Sequence, residues 1–123
     1  MKHISDIHDL KAWLEYEKKR YGINSIVKAY IRYLLGCERE TLYFFKRRLR
    51  KTEYYKNTNK QIRYYISMSI LQHMQNKYGL HINCNVFGKG LKIMHLGPIL
   101  TNGDTRVGEN CSIHINTCLV AGG

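Results

Sequence analysis

The chain has 123 residues, enough for one ordinary domain and too few for a two-domain enzyme. Hydrophobic residues make up 44% of it and charged residues 24%, a balance that excludes an intrinsically disordered protein. No apolar run approaches the roughly 20 residues of a membrane helix, the first ten residues lack the apolar stretch of a secretory signal, and four scattered cysteines do not make a disulfide framework. The composition predicts a cytoplasmic protein without a membrane partner.

Charge and glycine content divide the chain near Gly79. The formal net charge is +11, and 17 of the 20 basic residues precede residue 81. Seven of the ten glycines follow Gly79. We therefore predict a basic helical region over residues 1–79 and a second region of different architecture over residues 80–123.

The first region has the apolar spacing of helices. Leu10, Trp13 and Leu14 begin a stripe at i, i+3 and i+4, with Asp6 and Asp9 near its start, where the helix dipole favours carboxylates. Three further runs follow over residues 24–35, 42–51 and 62–78, each with apolar residues at helical spacing.

A basic cluster lies within these predicted helices. Its cations are interleaved with Tyr54, Tyr55, Tyr64 and Tyr65, and they are Lys46, Arg47, Arg48, Arg50, Lys51, Lys56, Lys60 and Arg63. Cations neutralise phosphates and tyrosines stack on bases, so one interpretation is nucleic-acid binding. The other is a solvated helix face with half-buried tyrosines, which we favour because no nucleic-acid-binding motif is present.

The second region repeats with a period of six. Large apolar residues recur at this spacing in two triplets, namely Phe87, Ile93 and Ile99, then Val107, Ile113 and Leu119. Glycine follows the first member of each triplet, and small residues recur in a fixed phase. This pattern is typical of a parallel β-helix built from hexapeptides, of which about two coils are present. The predicted fold class is α+β.

Three segments carry a resemblance to a known family: residues 85–95 (NVFGKGLKIMH), 97–102 (GPILTN) and 106–114 (RVGENCSIH). Together they resemble bacterial serine O-acetyltransferases, and more closely the shorter serine acetyltransferase-like proteins found among polysaccharide-synthesis genes. The segment 53–57 (EYYKN) is similar to a helical segment of that subgroup.

The resemblance implies a helical region followed by a left-handed parallel β-helix, assembled as a homotrimer or a dimer of trimers. It implies transfer of an acetyl group from acetyl-CoA to the hydroxyl of L-serine, at a site between subunits. His95 matches the catalytic histidine. A neutral imidazole in reach of a hydroxyl can remove its proton as it attacks the thioester; the other interpretation is a surface histidine without chemistry.

Two aspartates of the family are replaced here. Leu80 stands in place of the one that orients the histidine, and Met94 in place of the one that helps to hold serine. Either another carboxylate orients His95, with Asp104 the nearest candidate in sequence, or the acceptor is not serine. His114 lies one inter-coil step from Met94 and is a further candidate for the site, or a solvent-facing residue.

The cysteines and histidines do not form a metal-binding pattern. No paired C-x-x-C is present, and Cys111 occupies a small-residue position of the repeat, so no metal is predicted.

Residues 87–123 span about two coils, whereas repeat stacks usually need three or more units. We therefore expect either a fragment of a longer protein or a member that has lost catalysis. The alternatives to a serine acetyltransferase are a sugar or polysaccharide O-acetyltransferase and a noncatalytic trimerising assembly module. A nucleic-acid-binding protein is a third alternative, supported by the helical charge alone.

Overall fold

The computed structural model describes residues 3–119. Four helices come first, and they are α1 (Ile7–Arg20), α2 (Ile26–Leu34), α3 (Glu38–Asn57) and α4 (Gln61–Tyr78). Five strands of two residues follow, and they are β1 (Leu80–His81), β2 (Lys92–Ile93), β3 (Ile99–Leu100), β4 (Ser112–Ile113) and β5 (Thr117–Cys118). The helices occupy the part of the chain where apolar spacing predicts them, and helices followed by strands fit an α+β arrangement only loosely.

The ends of the first and last helices have identifiable causes. The Asp6 carboxylate accepts a hydrogen bond from the main-chain N–H of Asp9 at 2.7 Å, which caps α1. Gly79 follows α4 in the left-handed conformation at φ 74°. A side chain is strained in that conformation, so glycine favours the stop at this residue.

The prediction of a left-handed parallel β-helix over residues 80–123 is wrong. The described residues are 52% helical, and the short strands form two small parallel sheets, one of β1-β3-β5 and one of β2-β4. The part of the repeat beyond residue 119 lies outside the described residues.

The six-residue spacing instead reflects burial against the helices. Phe87, Ile93 and Ile99 are almost fully buried, but they share one apolar core with Phe45 of α3 and Leu71 of α4. Apolar residues at this spacing can be buried by packing against helices, without strands that close into a coil. The spacing alone does not distinguish the two arrangements.

The strands pair in parallel with fixed partners. Ile99 of β3 pairs with Leu80 of β1 and with Thr117 of β5, while Ile93 of β2 pairs with Ile113 of β4. These pairings hold the bend between β2 and β3 at the surface.

A buried guanidinium joins the helices to the strand-bearing region. Arg50 of α3 is fully buried and contacts the Glu17 carboxylate of α1 at 2.8 Å and the Glu53 carboxylate at 2.8 Å. It also donates to the main-chain carbonyls of Phe87 at 3.0 Å and Gly88 at 2.7 Å. Arg50 therefore belongs to the interior, not to an exposed basic face.

We expect Arg50→Ala to lower the free energy of unfolding by about 3–5 kcal/mol, because it removes the guanidinium that pairs with two buried carboxylates. The control is Lys18→Ala, which removes an exposed ion pair with Glu15 and is expected to cost less than about 1 kcal/mol. Urea unfolding followed by circular dichroism measures both. Equal stabilities of the two variants would contradict the structural role of Arg50.

Lys46 of α3 is the second cation of the basic cluster that is buried. Its Nζ donates to the main-chain carbonyl of Leu91 and lies 3.8 Å from a Glu17 carboxylate oxygen and 4.3 Å from the centre of the Tyr21 ring. Burial penalises the ammonium form and lowers the pKa of Lys46 from 10.5 to about 7.

The lowered pKa of Lys46 predicts that the free energy of unfolding rises with pH above 7. Between the folded pKa and 10.5 the unfolded chain holds a proton on Lys46 that the folded chain has lost, so the slope reaches at most about 1.4 kcal/mol per pH unit. Lys46→Met should flatten the rise between pH 7 and 8.5, whereas Lys60→Met, at an exposed position, should leave it unchanged. Urea unfolding at each pH measures the slope, and an unchanged slope in Lys46→Met would contradict the prediction.

No helix within residues 3–119 is both long and apolar enough to cross a membrane.

Candidate active site

His95 lies in a bend between β2 and β3. Ile93, two residues earlier, is buried in the core, and its pairing with Ile113 fixes the end of β2. The bend turns the imidazole away from the core, and the His95 side chain is 65% exposed. It is therefore accessible to a reactant from solution.

The bend depends on close packing at Gly97. A Cβ atom at this position would lie 2.6 Å from the Cγ2 atom of Ile115. Such a contact is too short for carbon atoms, so only glycine lets the chain pass Ile115 here.

Glu38, the first residue of α3, holds the bend from the helical side. One carboxylate oxygen lies 2.9 Å from Nδ1 of His95, and the other accepts the main-chain N–H of Leu96 at 3.2 Å. Both oxygens are therefore committed to adjacent residues of the bend. This two-point contact holds the Glu38 carboxylate against the bend and directs Nδ1 of His95 towards it.

The environment favours the ionised form of Glu38. The hydrogen bond with His95 lowers the pKa of this carboxyl below its usual value, and the hydrogen bond from the Leu96 main chain contributes a smaller lowering. The first turn of α3 adds the positive end of the helix dipole.

The chemical consequence is a defined tautomer of His95. A carboxylate accepts hydrogen bonds and does not donate them, so Nδ1 carries the proton that bridges to Glu38. The lone pair of the neutral ring then lies on Nε2. This is the arrangement of a histidine general base with an orienting carboxylate.

Asp104 does not supply that carboxylate. It lies on an exposed turn, where its main-chain N–H donates to the Asn102 side chain at 2.8 Å. Among residues 3–119, no hydrogen bond or ion pair joins Asp104 to His95. The sequence-based choice of Asp104 went by proximity in the chain, whereas Glu38 is 57 residues away from His95 in sequence.

His114 follows Ile113, the register partner of Ile93, and is exposed. Its main-chain carbonyl accepts the Thr117 hydroxyl at 2.5 Å. Within the described chain, no hydrogen bond connects its imidazole to His95. Glu38 is therefore the residue that the described chain joins to His95 by a hydrogen bond, and the β2–β4 register places His114 one residue after the partner of Ile93.

The cysteines and possible metal ligands show no further site. No group of three or more metal-ligating side chains is found within residues 3–119. Cys84 is buried, and burial raises the pKa of its thiol to about 12, so it is a poor nucleophile at neutral pH.

No family model matches the chain, and neither a curated protein nor a solved structure is significantly similar to it. The resemblance to serine acetyltransferases therefore depends on the motif residues alone.

The tautomer gives a direct test of the pair. We expect the neutral imidazole of His95 to be protonated at Nδ1, and Glu38→Gln to shift it towards the Nε2-protonated form, because an amide can donate to Nδ1. Long-range ¹H–¹⁵N NMR correlations at neutral pH distinguish the tautomers, with Glu109→Gln as an exposed carboxylate control. The same tautomer mixture in all three proteins would contradict the assigned orientation.

Proposed function

We propose that the protein is an acetyl-CoA-dependent O-acetyltransferase in which His95 is the general base. The observation that supports this most strongly is the contact of Glu38 with Nδ1 of His95, because Leu80 replaces the aspartate that orients the histidine in the family that the motif resembles. Glu38 performs that task from a different element. The residues of the motif and this geometry are independent arguments for the same role.

The reaction needs few groups. Nε2 of His95 removes the proton of the acceptor hydroxyl while the hydroxyl oxygen bonds to the thioester carbonyl carbon of acetyl-CoA. The carbon–sulfur bond of the tetrahedral intermediate then breaks, and the leaving thiolate takes the proton from the His95 imidazolium. The products are an acetyl ester and free CoA. Glu38 stabilises the transient imidazolium and keeps the ring in position.

Serine is the first acceptor to consider, since the motif resembles serine acetyltransferases. A sugar hydroxyl is the second, and the arrangement of carboxylates favours it. Met94 replaces the carboxylate that would attract a serine ammonium group, and both oxygens of Glu38 are already committed to His95 and Leu96.

The exposure of His95 bears on assembly. Enzymes bind small substrates in concave sites, and a largely exposed imidazole needs further walls around it. We propose that a neighbouring copy of the chain supplies them in a homotrimer.

Acetyl transfer tests the proposal. Thiol release from acetyl-CoA, measured with serine and with a panel of sugars, should depend on the acceptor. His95→Ala should reduce the rate by about 10²- to 10⁴-fold, the usual contribution of a general base. Glu38→Gln should reduce it by a smaller factor, and Glu38→Asp should recover part of the loss.

His114→Ala and Asp104→Asn serve as matched controls, because within the described chain neither side chain forms a hydrogen bond or ion pair with His95. They are expected to retain most of the parent rate. No release with any acceptor from folded protein would overturn the proposal, and so would a rate unaffected by His95→Ala.

A further inference from the structure

The outer face of α2 carries an uncovered apolar stripe. Its members are spaced at i, i+3, i+4, i+7 and i+8, and they are Val27, Tyr30, Ile31, Leu34 and Leu35. Leu34 is 67% and Leu35 76% exposed, whereas Ala29 on the opposite face is buried. An amphipathic helix normally turns its apolar stripe towards the core, and α2 turns this stripe outwards.

α4 carries a second stripe of the same kind, formed by Ile62, Tyr65, Ile66 and Ile70. Ile62 is 79% exposed, while Leu71 on the inner face of the helix is fully buried. Contiguous exposed apolar surface of this kind is characteristic of interaction sites.

A groove that includes Tyr30 of the first stripe and Ile70 of the second lies between them, and we name it the α2–α4 groove. Its volume is ≈ 300 Å³. Tyr30 and Tyr33 of α2 form one wall, Ile70 and Met74 of α4 form the other, and Phe44 of α3 lies between them. The rings of Tyr30 and Phe44 meet edge to face with centroids 5.9 Å apart, so this aromatic wall is packed.

Three cations of α3 line the same groove: Arg47, Arg48 and Lys51. Arg47 and Arg48 donate, at 3.4 Å, to the hydroxyls of Tyr43 and Ser67. None of the ion pairs found among residues 3–119 includes any of the three. Burial, Arg47 and Arg48 together lower the pKa of Lys51, as expected for uncompensated neighbouring cations.

No carboxylate is available on the walls to neutralise these cations. The sequences of α2 and α4 contain neither aspartate nor glutamate. The groove is therefore apolar along its rims and positive at its floor, and its complement is apolar and negative.

These features discriminate between possible occupants. In a two-fold dimer a second copy would present the same cations to the groove, so like charges would face each other. A flat bilayer would meet the protruding stripes but would not reach the half-buried cations between them. Nucleic acid would satisfy the cations and leave the aliphatic stripes exposed.

We propose that the α2–α4 groove binds an acidic amphipathic helix of a partner protein. The apolar face of that helix would pack on the two stripes, and its glutamate or aspartate side chains would pair with Arg47, Arg48 and Lys51. This is the helix-in-groove mode of recognition, with the charges setting specificity.

The probe is a fluorescein-labelled designed peptide of 18 residues, with leucine at i, i+3, i+4 and i+7 and glutamate at most other positions. Anisotropy measures its binding to the full chain. We expect saturable binding that weakens with salt, and at least about tenfold weaker binding to Arg47→Glu/Lys51→Glu, as expected when close interfacial charge pairs are reversed. Leu34→Ser/Leu35→Ser, at exposed positions, should also weaken binding.

Lys89→Glu/Arg106→Glu is the matched control, because it changes the net charge equally at positions outside the groove. Circular dichroism checks that every variant keeps its helices. The same peptide with lysine for glutamate, and a scrambled peptide of identical composition, should bind weakly.

Several results would overturn the proposal. One is failure of the acidic peptide to bind, and another is equal loss of binding in the groove and control charge variants. Binding of phosphatidylglycerol vesicles or of a single-stranded oligonucleotide, without peptide binding, would assign the groove to a membrane or to nucleic acid. Self-association in sedimentation that Leu34→Ser/Leu35→Ser abolishes, again without peptide binding, would assign it to a second copy.

Discussion

The fold depends most on the position of the Arg50 guanidinium. It is fully buried, and its partners belong to α1, α3 and the segment at residues 87–88. Because an unpaired buried charge costs several kcal/mol, these segments must keep their contacts to Arg50 together or lose them together. The helical and strand-bearing regions therefore fold as one unit.

α3 has different roles on its different sides. One side points inwards and buries Lys46 and Arg50 among main-chain carbonyls and the Glu17 carboxylate. Another side presents Arg47 and Lys51 to the α2–α4 groove. The basic cluster that appears continuous in sequence is thus divided by the helical turn into a structural set and a surface set. Because Lys46 and Arg50 are buried, the basic cluster is neither a wholly solvated helix face nor a continuous phosphate-binding surface.

Helical periodicity predicted the helices of the first half of the chain because apolar spacing at three and four residues is a local property of helix geometry, but it did not predict that the apolar stripes of α2 and α4 face outwards. The stripe beginning at Leu10 and Trp13 and the stop at Gly79 are local signals of this kind. The β-helix prediction failed because a six-residue spacing records burial without recording what covers the buried side chains. Glu38 was missed for a related reason, since its pairing with His95 depends on how α3 packs against the strands. A carboxylate at the start of a helix is an ordinary signal, and nothing local in the sequence indicates that its partner is a distant histidine.

α3 contributes to both surfaces, Glu38 to the His95 site and Arg47 to the groove, which bears on whether the two influence each other. Glu38 and Arg47 are nine residues apart on α3, a separation of about 14 Å along a helix. An occupant of the groove can alter the His95 site only by moving α3 relative to the strands, and Arg50 resists that movement with contacts on both sides. A partner that binds the groove without breaking the Arg50 contacts therefore leaves the Glu38–His95 geometry in place. The Glu38–His95 hydrogen bond and binding in the α2–α4 groove are therefore independent of each other. Coupling between them would require the Arg50 contacts to rearrange.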